Sequence, residues 1–160
     1  MSVAFTREDS AETAAEVELP DRPLSPHPNL VTPEGLDLLK KAMAAASASY
    51  AACQTIEDVN ERRRASALAA RDLRYFAARI NSAQLRSPPP NAKTVAFGHR
   101  VGFERGDGRR QSFRIVGEDE ADPATGTISY VSPVALALMG KSAGDVVTVN
   151  AQEIEIVEIA

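Results

Sequence analysis

From Leu36 onward the apolar positions fall three and four residues apart, at Leu36, Leu39, Met43, Ala46, Tyr50 and Cys53. That alternation predicts an amphipathic helix carrying a narrow coiled-coil seam. A second run with the same alternation passes through Val59, Arg62, Ser66, Ala69, Leu73, Phe76, Ile80 and Ala83. Thr32 is a good N-cap and Pro33 suits the first helical position, so the first helix opens there. Ser87-Pro88-Pro89-Pro90 stops the second. Folded against each other with opposed residue numbers summing to about 119, the runs place large side chains against small ones in most layers. Leu36 then faces Ala83, Leu39 faces Ile80, Met43 faces Phe76, Ala46 faces Leu73, Tyr50 faces Ala69 and Cys53 faces Ser66. The turn of this antiparallel hairpin is expected near Val59 and Asn60.

Beyond the prolines the pattern shortens to alternating strands, expected at Lys93–Phe97, His99–Glu104, Gln111–Gly117, Thr127–Val131, Asp145–Val149 and Glu153–Ile159. Arg105-Gly106-Asp107-Gly108 is a strong hairpin turn. Ser132 caps, Pro133 opens and Gly140 closes one short helix over Val134–Met139. Strands gathered around one short helix make a small α+β domain. The expected organisation is a Pro-rich acidic tail at 1–31, extended or disordered, a helical hairpin at 32–86, a linker at 87–92 and a sheet domain at 93–160.

Composition narrows the picture. Of 160 residues, 44% are apolar and 5% aromatic, so the core is mainly aliphatic. The formal net charge of -4 argues against a protein that coats nucleic acid. Residues 1–30 hold Glu8, Asp9, Glu12, Glu16, Glu18 and Asp21 against Arg7 and Arg22, which accounts for the whole excess. With prolines at 20, 23, 26 and 28, this tail reads as a solvated leader or as an acidic interaction arm. Cys53 is the single cysteine, which rules out an internal disulfide and a multi-cysteine zinc site; on the seam it acts as a small core residue. His27 and His99 stand without partners at metal or triad spacing. With no apolar run near the roughly 18–20 residues of a membrane span and no basic-then-apolar leader pattern, a cytoplasmic location is expected.

The stretch Arg114-Ile-Val-Gly-Glu-Asp-Glu-Ala-Asp-Pro123, continued by Ile128-Ser-Tyr-Val-Ser-Pro-Val-Ala-Leu-Ala-Leu-Met-Gly-Lys141 and Gly144-Asp145, closely resembles the C-terminal domain of the bacterial Gre transcript-cleavage factors. Val95-Ala-Phe-Gly98 and Gly106-Asp-Gly108 lean towards the GreB-like branch, and Thr32-Pro-Glu-Gly35-Leu36 and Asn81-Ser-Ala-Gln84 match as well. The resemblance implies an antiparallel coiled-coil hairpin followed by an FKBP-like domain. It also implies docking of that domain on the rim of RNA polymerase and entry of the hairpin into the secondary channel.

In the family the hairpin tip reads Gly-Asp-x-x-Glu-Asn, and its two acids help hold a catalytic magnesium in the polymerase so that backtracked RNA is cut. Here the tip reads Glu57-Asp58-Val59-Asn60-Glu61-Arg62, which carries those roles over to Asp58 and Glu61. Mg²⁺ is bound by hard oxygen donors, commonly one or two protein carboxylates with waters retained. Acids at the start of a helix are also favoured without any metal. Glu57 replaces the family glycine, Arg62 replaces the asparagine, and each arm is about one heptad short, which removes about 10 Å of reach.

The second helix is basic, with Arg62, Arg63, Arg64, Arg71, Arg74 and Arg79; Arg64, Arg71 and Arg74 share one side. This side suits the nascent RNA 3′ segment or acidic polymerase walls, and equally a solvated face. Ser132 and Pro133 stand where GreB-like factors touch the polymerase rim, and they are also ordinary helix capping. The leading reading is therefore a non-enzymatic elongation regulator that stimulates the polymerase to cleave RNA, with Mg held mainly by the polymerase. The second is a channel-binding competitor or inhibitor without cleavage. A prolyl isomerase ranks far below, since fold does not imply function.

Overall fold

Leu30–Val31 (β1) leads into a 21-residue helix, Pro33–Cys53 (α1), and a 24-residue helix, Val59–Ser82 (α2), is followed by Gln84–Leu85 (β2). The remaining elements are Arg100–Arg105 (β3), Arg110–Val116 (β4), a 3₁₀ turn at Pro123–Thr125, Thr127–Ser129 (β5), Pro133–Leu138 (α3), Val146–Val149 (β6) and Gln152–Ile159 (β7). The computed structural model describes residues 19–160. They divide into two compact units, residues 19–24 with Lys40–Ala78, and Ser25–Leu39 with Arg79–Ala160. Glu8, Asp9, Glu12, Glu16 and Glu18 lie outside the described residues, as does most of the expected tail.

In the first unit the two helices form an antiparallel hairpin. Ala46 and Ala69 are buried on its seam, and Met43, Leu73, Phe76, Cys53 and Ser66 are half-buried. At the closed end Gln54 Nε2 lies 3.4 Å from Ser66 Oγ, in keeping with the register read from the heptads. The turn comes earlier than Val59 and Asn60. Residues 54–58 make it, because Asp58 caps α2 and Val59 is already helical. Tyr50, expected on the seam, is 42% exposed instead. A seam narrow enough to bury alanines has no room for a whole phenol ring, so Tyr50 stays partly in solvent.

In the second unit a five-stranded sheet runs in the order β5-β4-β3-β7-β6. All neighbours are antiparallel except β4 and β5, and a bulge interrupts the β3–β7 pairing between Gly102 and Phe103. Alternation along β3 and β7 sends Val101, Phe103, Ile154 and Ile156 into the core, where they meet Ile115, Ile128, Ala135 and Leu138. The Arg105–Gly108 turn forms as read, with Gly108 N donating to Arg105 O at 2.8 Å and a φ of +81 at Gly108. One expected strand is missing. Around Lys93–Phe97 only Thr94 bridges, to Ser142, since the chain turns at Gly98 with a φ of +89. Val95 and Phe97 are still buried.

His99, unremarkable in the sequence, is 2% exposed and holds the proline linker. Its Nδ1 accepts from Ala96 N at 3.1 Å, which leaves Nε2 to donate to Pro89 O at 2.9 Å. A second anchor uses the acidic triplet after β4. Arg79, 4% exposed, places Nε 2.5 Å from Asp119 Oδ2 and Nη2 3.7 Å from Glu118 Oε2. Thr32 Oγ1 donates to Glu120 Oε2 at 2.6 Å and accepts from Gly35 N at 2.9 Å, so the cap of α1 is itself held. Asn29 Nδ2 donates to Arg79 O at 2.7 Å. Gly117 permits this closeness, since a Cβ there would strike Leu30 O.

Tyr130 donates its hydroxyl to Pro28 O in the same unit. Burial raises its phenol above the ordinary 10.0, and the Glu118 carboxylate adds to the rise while Arg79 offsets part of it. The neutral phenol therefore contributes stability in full below the unfolded value. That contribution is lost as pH climbs through the higher folded value. Tyr130→Phe is expected to flatten the alkaline limb of a stability curve measured by urea unfolding, and an unchanged limb would contradict the assignment.

Candidate functional site

The closed end of the hairpin is built by local hydrogen bonds. Gln54, Thr55 and Ile56 donate their amides to Ala51, Ala52 and Cys53 carbonyls at 3.2 Å each, which tightens the last turn of α1. Asp58 Oδ1 accepts from Glu61 N at 2.7 Å, and Asp58 O accepts from Arg62 N at 2.9 Å, as an N-cap does. Arg62 Nη1 donates to Ile56 O at 2.9 Å. Arg62 thus ties the turn to the first turn of α2.

Asp58 and Glu61 come together on that first turn, both exposed. The cap engages Asp58 Oδ1; Oδ2 and the Glu61 carboxylate have no hydrogen-bond partner among the described residues. This donor chemistry fits magnesium, which accepts one or two carboxylates and retains other ligands. Two carboxylates do not close a coordination sphere. Among the described residues no group of three or more His, Cys, Asp or Glu side chains could hold a metal. The remaining ligands would have to come from another molecule.

The three arginines expected to act together differ in their settings. Arg64 is exposed, Arg71 is half-buried with no hydrogen-bond partner for its Nε, and Arg74 Nε is bonded to Asp21 Oδ1 at 2.7 Å. Arg74 instead shares an open groove of about 880 Å³ with Arg62 and Arg63; its walls include Tyr50, Ala67, Ala70 and residues Leu19 to Asp21. Arg22, outside any helix, packs against the same α2, 3.8 Å above the Tyr75 ring and 3.1 Å from Asp72 Oδ1. Sequence reasoning missed this strap. Its one signal was Tyr75, an aromatic residue off the seam of a helix with few others.

In the sheet unit Ser132 Oγ accepts from Ala135 N at 3.3 Å, and Pro133 is the first residue of α3. Ala135 and Leu138 face the core, and Leu136 is left 62% exposed on the other side of this short helix.

Residues 89–160 match the family described as Transcription elongation factor, GreA/GreB, C-term. GreB of Neisseria meningitidis serogroup A is 40% identical over 95 residues, which cover 56% of this chain and 58% of that protein. GreA of Alkalilimnicola ehrlichii is 43% identical over 88 residues, covering 51% of this chain and 56% of that protein. The chain thus spans a little more than half the length of these curated relatives. Residues 89–160 are thus similar to the C-terminal part of the GreA/GreB transcription elongation factors. The solved Gfh1 protein of Thermus thermophilus is 20% identical, covering 84% of this chain and 99% of that one, at a TM-score of 0.40.

Proposed function

We propose that this chain is an elongation regulator that binds RNA polymerase, with the sheet domain on the rim and the hairpin in the secondary channel, and stimulates cleavage of backtracked RNA. The observation that carries the reading is the tip. An exposed Glu61 and the open oxygen of a capping Asp58 lie on one helical turn, and Arg62 keeps that turn in shape. The match of residues 89–160 to the GreA/GreB C-terminal family supports the choice of partner. Magnesium, when shared with the polymerase, would polarise phosphate and water for hydrolysis. The chain's own part is to present two carboxylates at a fixed spacing; the chemistry stays in the polymerase, so the factor itself is no enzyme. Along the second helix, Arg64, Arg71 and Arg74 would neutralise phosphates of the RNA 3′ segment. Ser132, Pro133 and the exposed Leu136 offer the rim contact.

A second reading is favoured by two observations. Asp58 already serves its own helix, and arms of 21 and 24 residues reach only about 32 and 36 Å. On this reading the chain occupies the channel without cleaving. A backtracked complex of the cognate polymerase separates the two. Shortening of the RNA by the wild-type chain supports stimulation. No shortening, with displacement of an active Gre factor, supports the competitor.

A further inference from the structure

The sheet ends differently on its two sides. At one edge β5 is partly covered by its own flanking loops: Thr127 N donates to Asp122 O at 3.2 Å, and Ser129 O accepts from Ser132 N at 2.9 Å. The other edge is β6, with no strand beyond it. The two-residue turn Asn150-Ala151, with φ of +50 and +62, makes Val149 and Gln152 the bonded pair that closes the β6–β7 hairpin. Alternation then turns the peptide groups of Val147 and Val149 towards β7 and those of Val146 and Thr148 away from it. Asp145 keeps the same phase, since its carbonyl accepts from Ile156 N at 2.9 Å. The N–H and C=O groups of Val146 and Thr148 have no hydrogen-bond partner among the described residues. Sheets commonly blunt such an edge with proline, lysine or a bulge. The strand Val146-Val-Thr-Val149 carries none of them, and its pairing with β7 has no register shift.

The flanking side chains select what can lie there. On the outer face Val146, 58% exposed, and Thr148 stand opposite Glu155 and Glu153. Both carboxylates are exposed, and neither has an ion-pair or hydrogen-bond partner among the described residues. On the inner face Val147 is buried and Val149 is half-buried against the core. A strand added beside β6 would lie about 4.8 Å from it and about 10 Å from β7. A long cation on its outer face then spans back to Glu153 or Glu155, and its inner-face side chains prolong the apolar row of Val147 and Val149. We propose that β6 is a docking edge for an extended segment of a partner protein in which lysine or arginine alternates with apolar residues. Main-chain bonds to Val146 and Thr148 hold the segment, and the two glutamates select its charge. These residues are neither those of the tip nor Ser132 and Pro133, so the inference holds whether or not the tip supports cleavage.

The test uses the full chain and a short capped peptide alternating Lys and Val, N-methylated along one edge so that it cannot stack into fibrils. In the free chain the amides of Val146 and Thr148 are expected to exchange with solvent rapidly, and those of Val147 and Val149 slowly. Saturating peptide should slow exchange at Val146 and Thr148 about tenfold or more. Glu153→Gln with Glu155→Gln should weaken binding about three- to tenfold, as the loss of two exposed ion pairs allows. Thr148→Pro should abolish binding; the lost donor faces away from β7, so the hairpin keeps its ladder. Val146→Lys puts a cation beside the incoming ones and should also weaken the peptide, in a chain whose backbone donors are all intact.

Binding that leaves Val146 and Thr148 exchanging rapidly, or no binding at millimolar peptide, overturns the docking edge. Equal affinity for a matched peptide alternating Glu and Val overturns the choice of a basic partner. Slow exchange at Val146 and Thr148 in the chain alone, growing with protein concentration, makes a second copy the occupant and overturns the assignment to a partner protein.

Discussion

Changing Asp58→Asn and Glu61→Gln together is expected to slow RNA shortening by the cognate polymerase at least about a hundredfold, the rate equivalent of about 2.7 kcal/mol. The figure is modest beside the several kcal/mol that a positioned metal contributes to phosphate chemistry. The pair of changes suits the tip because it separates chemistry from folding. Asn caps a helix as well as Asp, so the bond from residue 61 N to the residue 58 side chain, 2.7 Å in this chain, survives. Gln remains acceptable at the third helical position. Neither substitution touches the bond from Arg62 to Ile56 O. Unchanged helical content by circular dichroism, with RNA shortening lost, is the expected pair of readings. A variant that cleaves at the wild-type rate would remove Asp58 and Glu61 from the mechanism.

Arg79→Met should have the largest effect on stability. The guanidinium lies 2.5 Å from Asp119 and 3.7 Å from Glu118 and is almost fully enclosed. Removing one member of a buried ionic group typically costs about 3–5 kcal/mol, because the surviving charges stay desolvated without compensation. The measurement is the urea midpoint of the sheet unit. Arg74→Met is the matched comparison, since the Arg74–Asp21 pair is more than half exposed on both sides and should shift the midpoint by less than about 1 kcal/mol. Adding Glu118→Gln and Asp119→Asn to Arg79→Met should restore much of the loss. Equal effects at Arg79 and Arg74 would contradict the burial argument.

These two sites mark how far the chain could be read without coordinates. The hairpin was legible because heptads are a local, repeating signal, and Thr32-Pro33 and Ser132-Pro133 announced helix starts through local hydrogen bonding. The Asp58 turn was found within a few residues for the same reason; its displacement from Val59 came from the cap, which the seam period does not encode. Arg79 was misjudged as one more cation of a basic helix. Its partners lie 39 and 40 positions further along, in a stretch that served only as a family signature. The strap escaped notice likewise, since nothing local to Asp21 and Arg22 points to residues 72–76. Whatever depended on one side chain meeting another far along the chain was not written in periodicity.

The parallel pairing of Leu30 with Gln84 and Val31 with Leu85 closes the chain on itself where the long helices begin and end. Everything between those pairs is an excursion whose two ends are stitched side by side by Asn29, Thr32, Arg79 and the acidic triplet. Its length is therefore free to vary without disturbing the sheet. Two added heptads, one per arm, would alter the closure entropy of the unfolded loop by only about 0.2 kcal/mol and lengthen the excursion by about 10 Å. Reach is a dial on this scaffold, set by counting residues, and the sheet unit need not change when the dial is turned.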